Sequence, residues 1–180
     1  LDGTLIRTDS LVETAALFIK QFPFLVLLFP FWLMMGRARL KEEIASRIEL
    51  DVAYLPYEQD VIDVIKKARA EGREVVLCTG ANQRYAEAVA EHLKLFDDII
   101  SSSETVNLTS NVKRDALTQR FGEGGYDYIG NDVKDVPAFR HARKSFLVSP
   151  TRMLRRLQHT LADAELLVTN RKIPLGCYLS

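Results

Sequence analysis

Glu74-Val75-Val76-Leu77-Cys78-Thr79-Gly80 is an apolar run that stops on a hydroxyl and a glycine. It is too short for a helix, β-branched at its centre and closed by turn residues, so it reads as a buried strand. Two more runs of the same make follow. Tyr126-Asp127-Tyr128-Ile129 leads to Gly130-Asn131-Asp132, and Ser145-Phe146-Leu147-Val148 leads to Ser149-Pro150. Asp97 to Ile100 adds a shorter strand. Between these runs the period changes. Val61-Ile62, Ile65 and Ala68 recur at helical spacing and stop near Gly72; Tyr85, Ala88-Val89 and His92-Leu93 repeat the pattern; Lys113 to Phe121 makes a third helix, halted at Gly122. Strands alternating with helices predict an α/β fold built on a parallel sheet. In such sheets ligands gather beyond the carboxyl ends of the strands, where Thr79, Asn131 and Asp132 fall.

The wider composition agrees with one globular domain. In 180 residues, 47% are hydrophobic, enough to bury a core. Lysine and arginine total 24, as do aspartate and glutamate. With no net field to attract a polyanion, nucleic acid is set aside as a partner. Cys78 and Cys177 are the two cysteines. They form neither a disulfide framework nor a zinc-ligand spacing, which suits a reducing, cytoplasmic compartment.

Residues 11–57 depart from the β-α pattern and read as helical throughout. At their centre lies Phe22-Pro-Phe-Leu-Val-Leu-Leu-Phe-Pro-Phe-Trp-Leu-Met-Met35. Interrupted by Pro23 and Pro30, it is short for a bilayer-spanning helix. Three readings stand: a buried helix of a small cap lobe, an interfacial membrane-contacting surface, or a true transmembrane helix. Arg37, Arg39 and Lys41 follow it and suit either anionic headgroups or a solvated helix start. Past Thr151, Met153-Leu154, Leu157 and Leu161 mark an amphipathic helix, and Arg171 to Ser180 reads as a linker or truncated tail. The expected division is therefore a core of 1–10 and 58–150, a helical cap insert at 11–57, and a C-terminal helix and linker at 151–180.

Chemistry-bearing residues recur at the expected strand ends and helix starts. Asp2-Gly3-Thr4 places a carboxylate in a tight turn, although a plain turn would explain it as well. The Thr79 hydroxyl and the following amide of Gly80 suit a phosphate oxygen. Lys113, near a helix start with Asn111 beside it, suits a phosphoryl charge, yet a solvated surface lysine would look the same. Asn131, Asp132 and Asp135 supply the hard oxygens magnesium prefers, or else cap a helix.

Taken in order, Leu1-Asp2-Gly3-Thr4-Leu5, Thr79, Lys113 and Gly130-Asn131-Asp132-x-x-Asp135 resemble the four motifs of the haloacid dehalogenase superfamily. The resemblance implies a Rossmann-like, three-layer parallel sheet with a helical cap inserted after the first motif. It implies magnesium-dependent phosphate-ester hydrolysis through an aspartyl-phosphate. Asp2 would be the catalytic acid and base, and its main-chain carbonyl a metal ligand. Thr79, Gly80 and Lys113 would hold the phosphoryl oxygens, and Asn131, Asp132 and Asp135 the metal.

Two departures follow from the same resemblance. The first motif is Asp-x-Asp-Gly-Thr, so the nucleophile would stand immediately before Leu1. The chain is accordingly expected to be a fragment that lacks the strand leading into Asp2 and to be inactive alone. Asn131 also stands where the family has aspartate, so metal binding is expected to be weaker. The cap residues Leu5-Ile6-Arg7-Thr8-Asp9-Ser10-Leu11, the apolar run and Arg47-Ile48-Glu49-Leu50-Asp51 are similar to the N-terminal domain of bacterial UbiA-type prenyltransferase fusions. That implies a membrane-embedded prenyltransferase module in the same polypeptide and a place at the inner face of the membrane. A phosphatase on a small phosphorylated metabolite is the leading reading. A non-catalytic docking or regulatory domain is the second, and dehalogenase or phosphomutase chemistry the third.

Overall fold

The computed structural model of the chain describes residues 1–103, 106–161 and 163–168. Its first part is helical: Ser10–Gln21 (α1), Phe29–Met34 (α2), Arg37–Ala45 (α3) and Gln59–Ala70 (α4). Strands and helices then alternate as Val76–Asn82 (β1), Gln83–Leu93 (α5), Asp98–Ser102 (β2), Ser110–Phe121 (α6), Asp127–Gly130 (β3), Val136–Arg140 (α7), Lys144–Val148 (β4), Arg152–Leu157 (α8) and Ala164–Val168 (β5). Local chemistry sets several of these bounds. The Asp9 carboxylate accepts from the Leu11 and Val12 amides at the start of α1, and the Asn82 side chain accepts from the Arg84 amide at the start of α5. Gly72, at φ +74°, turns the chain out of α4, a conformation that costs glycine nothing.

Among the described residues, the pairing of the five named strands is parallel. β1 lies beside β2 with Leu77 opposite Ile99, and β4 lies between β3 and β5 with Ile129 opposite Phe146. The expected α/β architecture is therefore present, with its hydrogen bonds divided between a two-stranded and a three-stranded sheet. A cavity of about 640 Å³ runs between β1 and β3, lined among others by Leu77, Phe96, Phe121, Tyr126 and Phe146, and reaching Leu1 and Thr4. Arg73, ahead of β1, spans this gap to Asp127 at 2.6 Å, and Asp127 also takes a paired contact from Arg143 at 2.8 and 2.9 Å.

Apolar packing crosses that division: Val148 of β4 joins Leu77 of β1 in one cluster, and Cys78 of β1 and Ile100 of β2 pack against the other. Leu5, Ile6, Val61, Ile65, Leu77 and Val89 fill one cluster, while Leu117, Tyr128, Phe139, Leu147 and Leu154 fill another. The segment 11–57 has a small core of its own, in which Phe18, Trp32, Ile44 and Ile48 are buried. Phe18 meets the rings of Phe22, Phe29 and Trp32 at centroid distances of 5.3, 5.4 and 5.9 Å.

Three sequence expectations change. Residues 11–57 are not helical throughout: helix ends at Ala45, and 3-10 turns at Leu25–Leu28 and Val52–Tyr54 interrupt the rest. Pro23 follows the end of α1, where it cannot continue the helix, whereas Pro30 sits in the first turn of α2, where its missing donor costs nothing. Nor is the apolar run a buried helix; Trp32 is buried, but Phe24, Leu27 and Met34 are 86%, 81% and 88% exposed. Finally, Ala164–Val168 is a fifth strand where no period was legible, and Leu161 lies beyond the helix that contains Leu154. The tail expected at 171–180 lies outside the described residues. No helix among the described residues is long and apolar enough to cross a membrane.

Candidate active site

The loop that opens the chain is held from two sides. The Asp2 carboxylate accepts from the Ser10 amide at 2.9 Å, which ties it to the first turn of α1. Gly3 has φ +68°, and a Cβ there would collide with the Asn131 side-chain amide. Glycine thus serves both the turn and the close approach of the loop after β3. Thr4 completes the lock by donating its hydroxyl to Asn131 Oδ1 at 3.0 Å.

At the end of β1, Thr79 is buried and its hydroxyl accepts from the Ala81 amide at 3.1 Å. Gly80 packs under the loop before α6, where an added Cβ would press on the Leu108 carbonyl and Thr109 at 3.1 Å. Its own carbonyl accepts from Ser102 Oγ at 2.9 Å and from Lys41 Nζ at 2.5 Å. Lys113 stands one turn inside α6, which begins at Ser110 with Thr109 at its N-cap. The ammonium is buried, donating to Asp135 Oδ1 at 2.7 Å and to the Tyr128 hydroxyl at 3.0 Å; that hydroxyl donates to the same carboxylate oxygen at 3.0 Å. Burial, then the Asp135 charge, holds the Tyr128 phenol well above its usual pKa, so it remains a donor.

The expected site residues Asp2, Thr79, Gly80, Lys113, Asn131, Asp132 and Asp135 line a single cavity of about 670 Å³, whereas Asn111 lies outside its lining. They are not equally free. Asp135 is engaged by Lys113 and Tyr128, whereas Asp132 sits nearer solvent with Lys134 3.8 Å away. Asp2, Asn131, Asp132 and Asp135 bring carboxylate and amide oxygens to this wall, a donor set that fits a hard divalent cation. Among the described residues, no cluster of three or more Asp, Glu, His or Cys side chains that could hold a metal ion is present. Cys78 borders the same cavity, but burial pushes its thiol up to about 11, leaving it protonated near neutral pH.

The residue that sequence reasoning missed is Lys41. The sequence groups it with Arg37 and Arg39 at anionic headgroups or a solvated helix start, yet it lines the cavity and joins α3 to Gly80 and to Asn107 Oδ1 at 3.0 Å. Its neighbour Glu42 accepts from Asn82 Nδ2 at 2.7 Å and pairs with Arg84 at 3.3 Å. The Tyr85 hydroxyl adds a third tie, donating to the Ile48 carbonyl at 3.1 Å. Residues 41–48 therefore fasten the helical insert over the strand ends. Burial lowers the Lys41 pKa, opposed by the charges of Asp2 and Asp9, and its partners are neutral oxygens. Only a signal of long range could have marked it, because nothing within its own turn distinguishes it from Arg39, which pairs within α3 with the buried Glu43.

Comparison with known proteins gives the family. A model of the haloacid dehalogenase-like hydrolases matches residues 1–140. The chain belongs to that family. A curated relative, the uncharacterised protein y4nM of Sinorhizobium fredii, is 38% identical over 149 residues, which span 82% of this chain and 28% of that protein. Among solved structures, a protein of unknown function from Bordetella pertussis Tohama I superposes with a TM-score of 0.66 at 17% identity, covering 94% of this chain and 95% of that one. A phosphoserine phosphatase in its apo form gives 0.63 at 16% identity, covering 95% and 90%. At these identities the structural likeness concerns the fold.

Proposed function

We propose that this haloacid dehalogenase-like chain is the phosphoryl-transfer domain of a magnesium-dependent phosphatase acting on a small phosphorylated metabolite. The observation that carries the reading is the convergence of Asp2, Thr79, Lys113 and the Asn131–Asp135 loop, from four separate segments, on one cavity. Lys113 would neutralise phosphoryl oxygens, aided by the Thr79 hydroxyl and neighbouring amides. Asp2, held by the Ser10 amide, would give a proton to the leaving alkoxide and later take one from the attacking water. Asp2, Asn131 and Asp135, with Asp132 nearby, would hold the magnesium ion, which when bound supplies charge neutralisation at the phosphoryl group.

The nucleophile of this reading is an aspartate directly before Leu1 in the longer polypeptide. The apolar cavity between β1 and β3 suits the strand that would carry it. Attack of its carboxylate on phosphorus would form an aspartyl-phosphate as the ester P–O bond breaks, and water would then return phosphate and the free carboxylate. A fused UbiA-type prenyltransferase, and with it a site at the inner membrane face, is the extension of the proposal to the whole protein. The 28% coverage of y4nM is compatible with such a length.

The test is phosphate release from a panel of phosphomonoesters by the chain extended upstream with an apolar strand ending in Asp. Turnover is expected with magnesium, to be lost with chelator, and to fall at least about 100-fold in Asp2→Asn. No release from any ester by a folded, extended chain would reject hydrolysis. Asn131, which takes a carboxylate away from the metal site, favours one second reading: a docking or regulatory domain that no longer turns over. Asn131→Asp raising magnesium affinity without eliciting turnover would favour it.

A further inference from the structure

Residues 24–35 turn a run of large apolar side chains outward. Phe24, Leu27 and Met34 are more than four-fifths exposed, and Phe31, Leu33 and Met35 are more than half exposed. Monomeric proteins seldom leave such a concentration of apolar surface to water without a use for it. The fold does not need these side chains outside, because Trp32 alone from α2 is buried in the small core beneath.

Charge indicates what covers the face. From Thr14 to Lys41 the sequence contains no acidic residue, while Lys20, Arg37, Arg39 and Lys41 are basic, in a chain whose net charge is zero. Arg39 is paired with Glu43 and Lys41 turns inward, which leaves Lys20 and Arg37 at the exposed margin. Two copies of this face would bring like charges together, whereas an anionic surface complements it. The segment is also built to lie flat. A 3-10 turn at Leu25–Leu28 and the six-residue α2, lying between Pro23 and Gly36, are too short to span a bilayer, but Phe, Leu and Met beside basic residues suit the headgroup boundary.

We infer that the outer face of residues 24–35 seats on an anionic lipid surface, with Lys20 and Arg37 against the headgroups. Leu33 and Arg37 also line the active-site cavity, so seating brings the mouth of that cavity to the membrane surface. This inference is independent of whether the site hydrolyses phosphate esters.

The experiment is co-sedimentation of the 180-residue chain with vesicles of phosphatidylcholine, alone or with phosphatidylglycerol. Trp32 is the single tryptophan and lies under the face, so brominated acyl chains report seating by quenching it. Expected are binding to the anionic vesicles, quenching of Trp32, and at least about tenfold weaker binding in Leu27→Glu with Met34→Glu. Lys20→Glu with Arg37→Glu is expected to remove the preference for anionic lipid. All four side chains are exposed, and an unchanged circular dichroism spectrum confirms that the variants fold. Absence of binding to either vesicle overturns the inference, as does binding without quenching that survives both double substitutions. A lipid-free dimer abolished by Leu27→Glu with Met34→Glu would assign the face to a second copy instead and equally overturn it.

Discussion

Helices α4 and α2 are both apolar in part, but they spend that content in opposite ways. In α4, Val61, Ile62 and Ile65 are buried against the strands, and its charged residues face water. In α2, Trp32 is buried, while Phe31, Leu33 and Met34 are exposed. Apolar content alone therefore says little about where stability resides. The interior at the strand ends is held by a few buried charges and large side chains, and the insert by aromatic rings with Ile44 and Ile48, while Phe24, Leu27, Phe31, Leu33, Met34 and Met35 are turned outward.

Substitutions can break this comparison at graded strength. The largest effect is expected at Phe18, which is fully buried among the insert's rings. Phe18→Ala should cost about 3–5 kcal/mol of insert stability. The loss should register first in Trp32 fluorescence, ahead of amide exchange in β1 and β4. Concerted loss of both signals would instead show insert and core to be one cooperative unit.

Lys113→Met should come next, at about 3 kcal/mol, because it leaves the Asp135 carboxylate buried without its cation. Thermal unfolding checks the figure. Under the proposed function the same substitution removes phosphate release.

Asp127→Asn should cost about 1–2 kcal/mol at neutral pH by weakening the ties from Arg143 and Arg73. The hydrogen bond from Arg143 holds the Asp127 pKa below its ordinary value. The stabilisation is therefore full above the unfolded pKa of about 3.8 and is lost as pH falls through the lower folded value. The gap between Asp127→Asn and the parent in urea melts should accordingly narrow below about pH 3.8. A gap that stays constant with pH would assign the loss to packing.

The smallest effect is expected at Met34, 88% exposed, where Met34→Ser should move stability by less than about 0.5 kcal/mol. A larger loss would mean that the outer face of the insert supports the fold after all.

Much of this could be read along the chain because it depends on neighbours a few residues apart. The strands at Val76, Asp127 and Lys144, and the helices α4, α5 and α6, were foreseen from period and turn residues. So was the gathering of Thr79, Asn131 and Asp132, since parallel strands leave their carboxyl ends on one side, while Asp2 and Lys113 were joined to them by the family resemblance. β5 was not, because Ala164-Glu165-Leu166-Leu167-Val168 has neither strict alternation nor a flanking glycine, and its identity comes from pairing with β4.

By itself, then, the sequence determined the alternation of elements, the parallel frame and the order of the site residues, all of which follow from short-range periodicity and turn chemistry. Tertiary structure alone decided that Lys41 points inward, that Lys113 is shared between Asp135 and Tyr128, and that the apolar run faces out. Each of these depends on contacts between segments far apart in the chain. A cation, a carboxylate or a leucine carries no local mark of which distant surface will desolvate it.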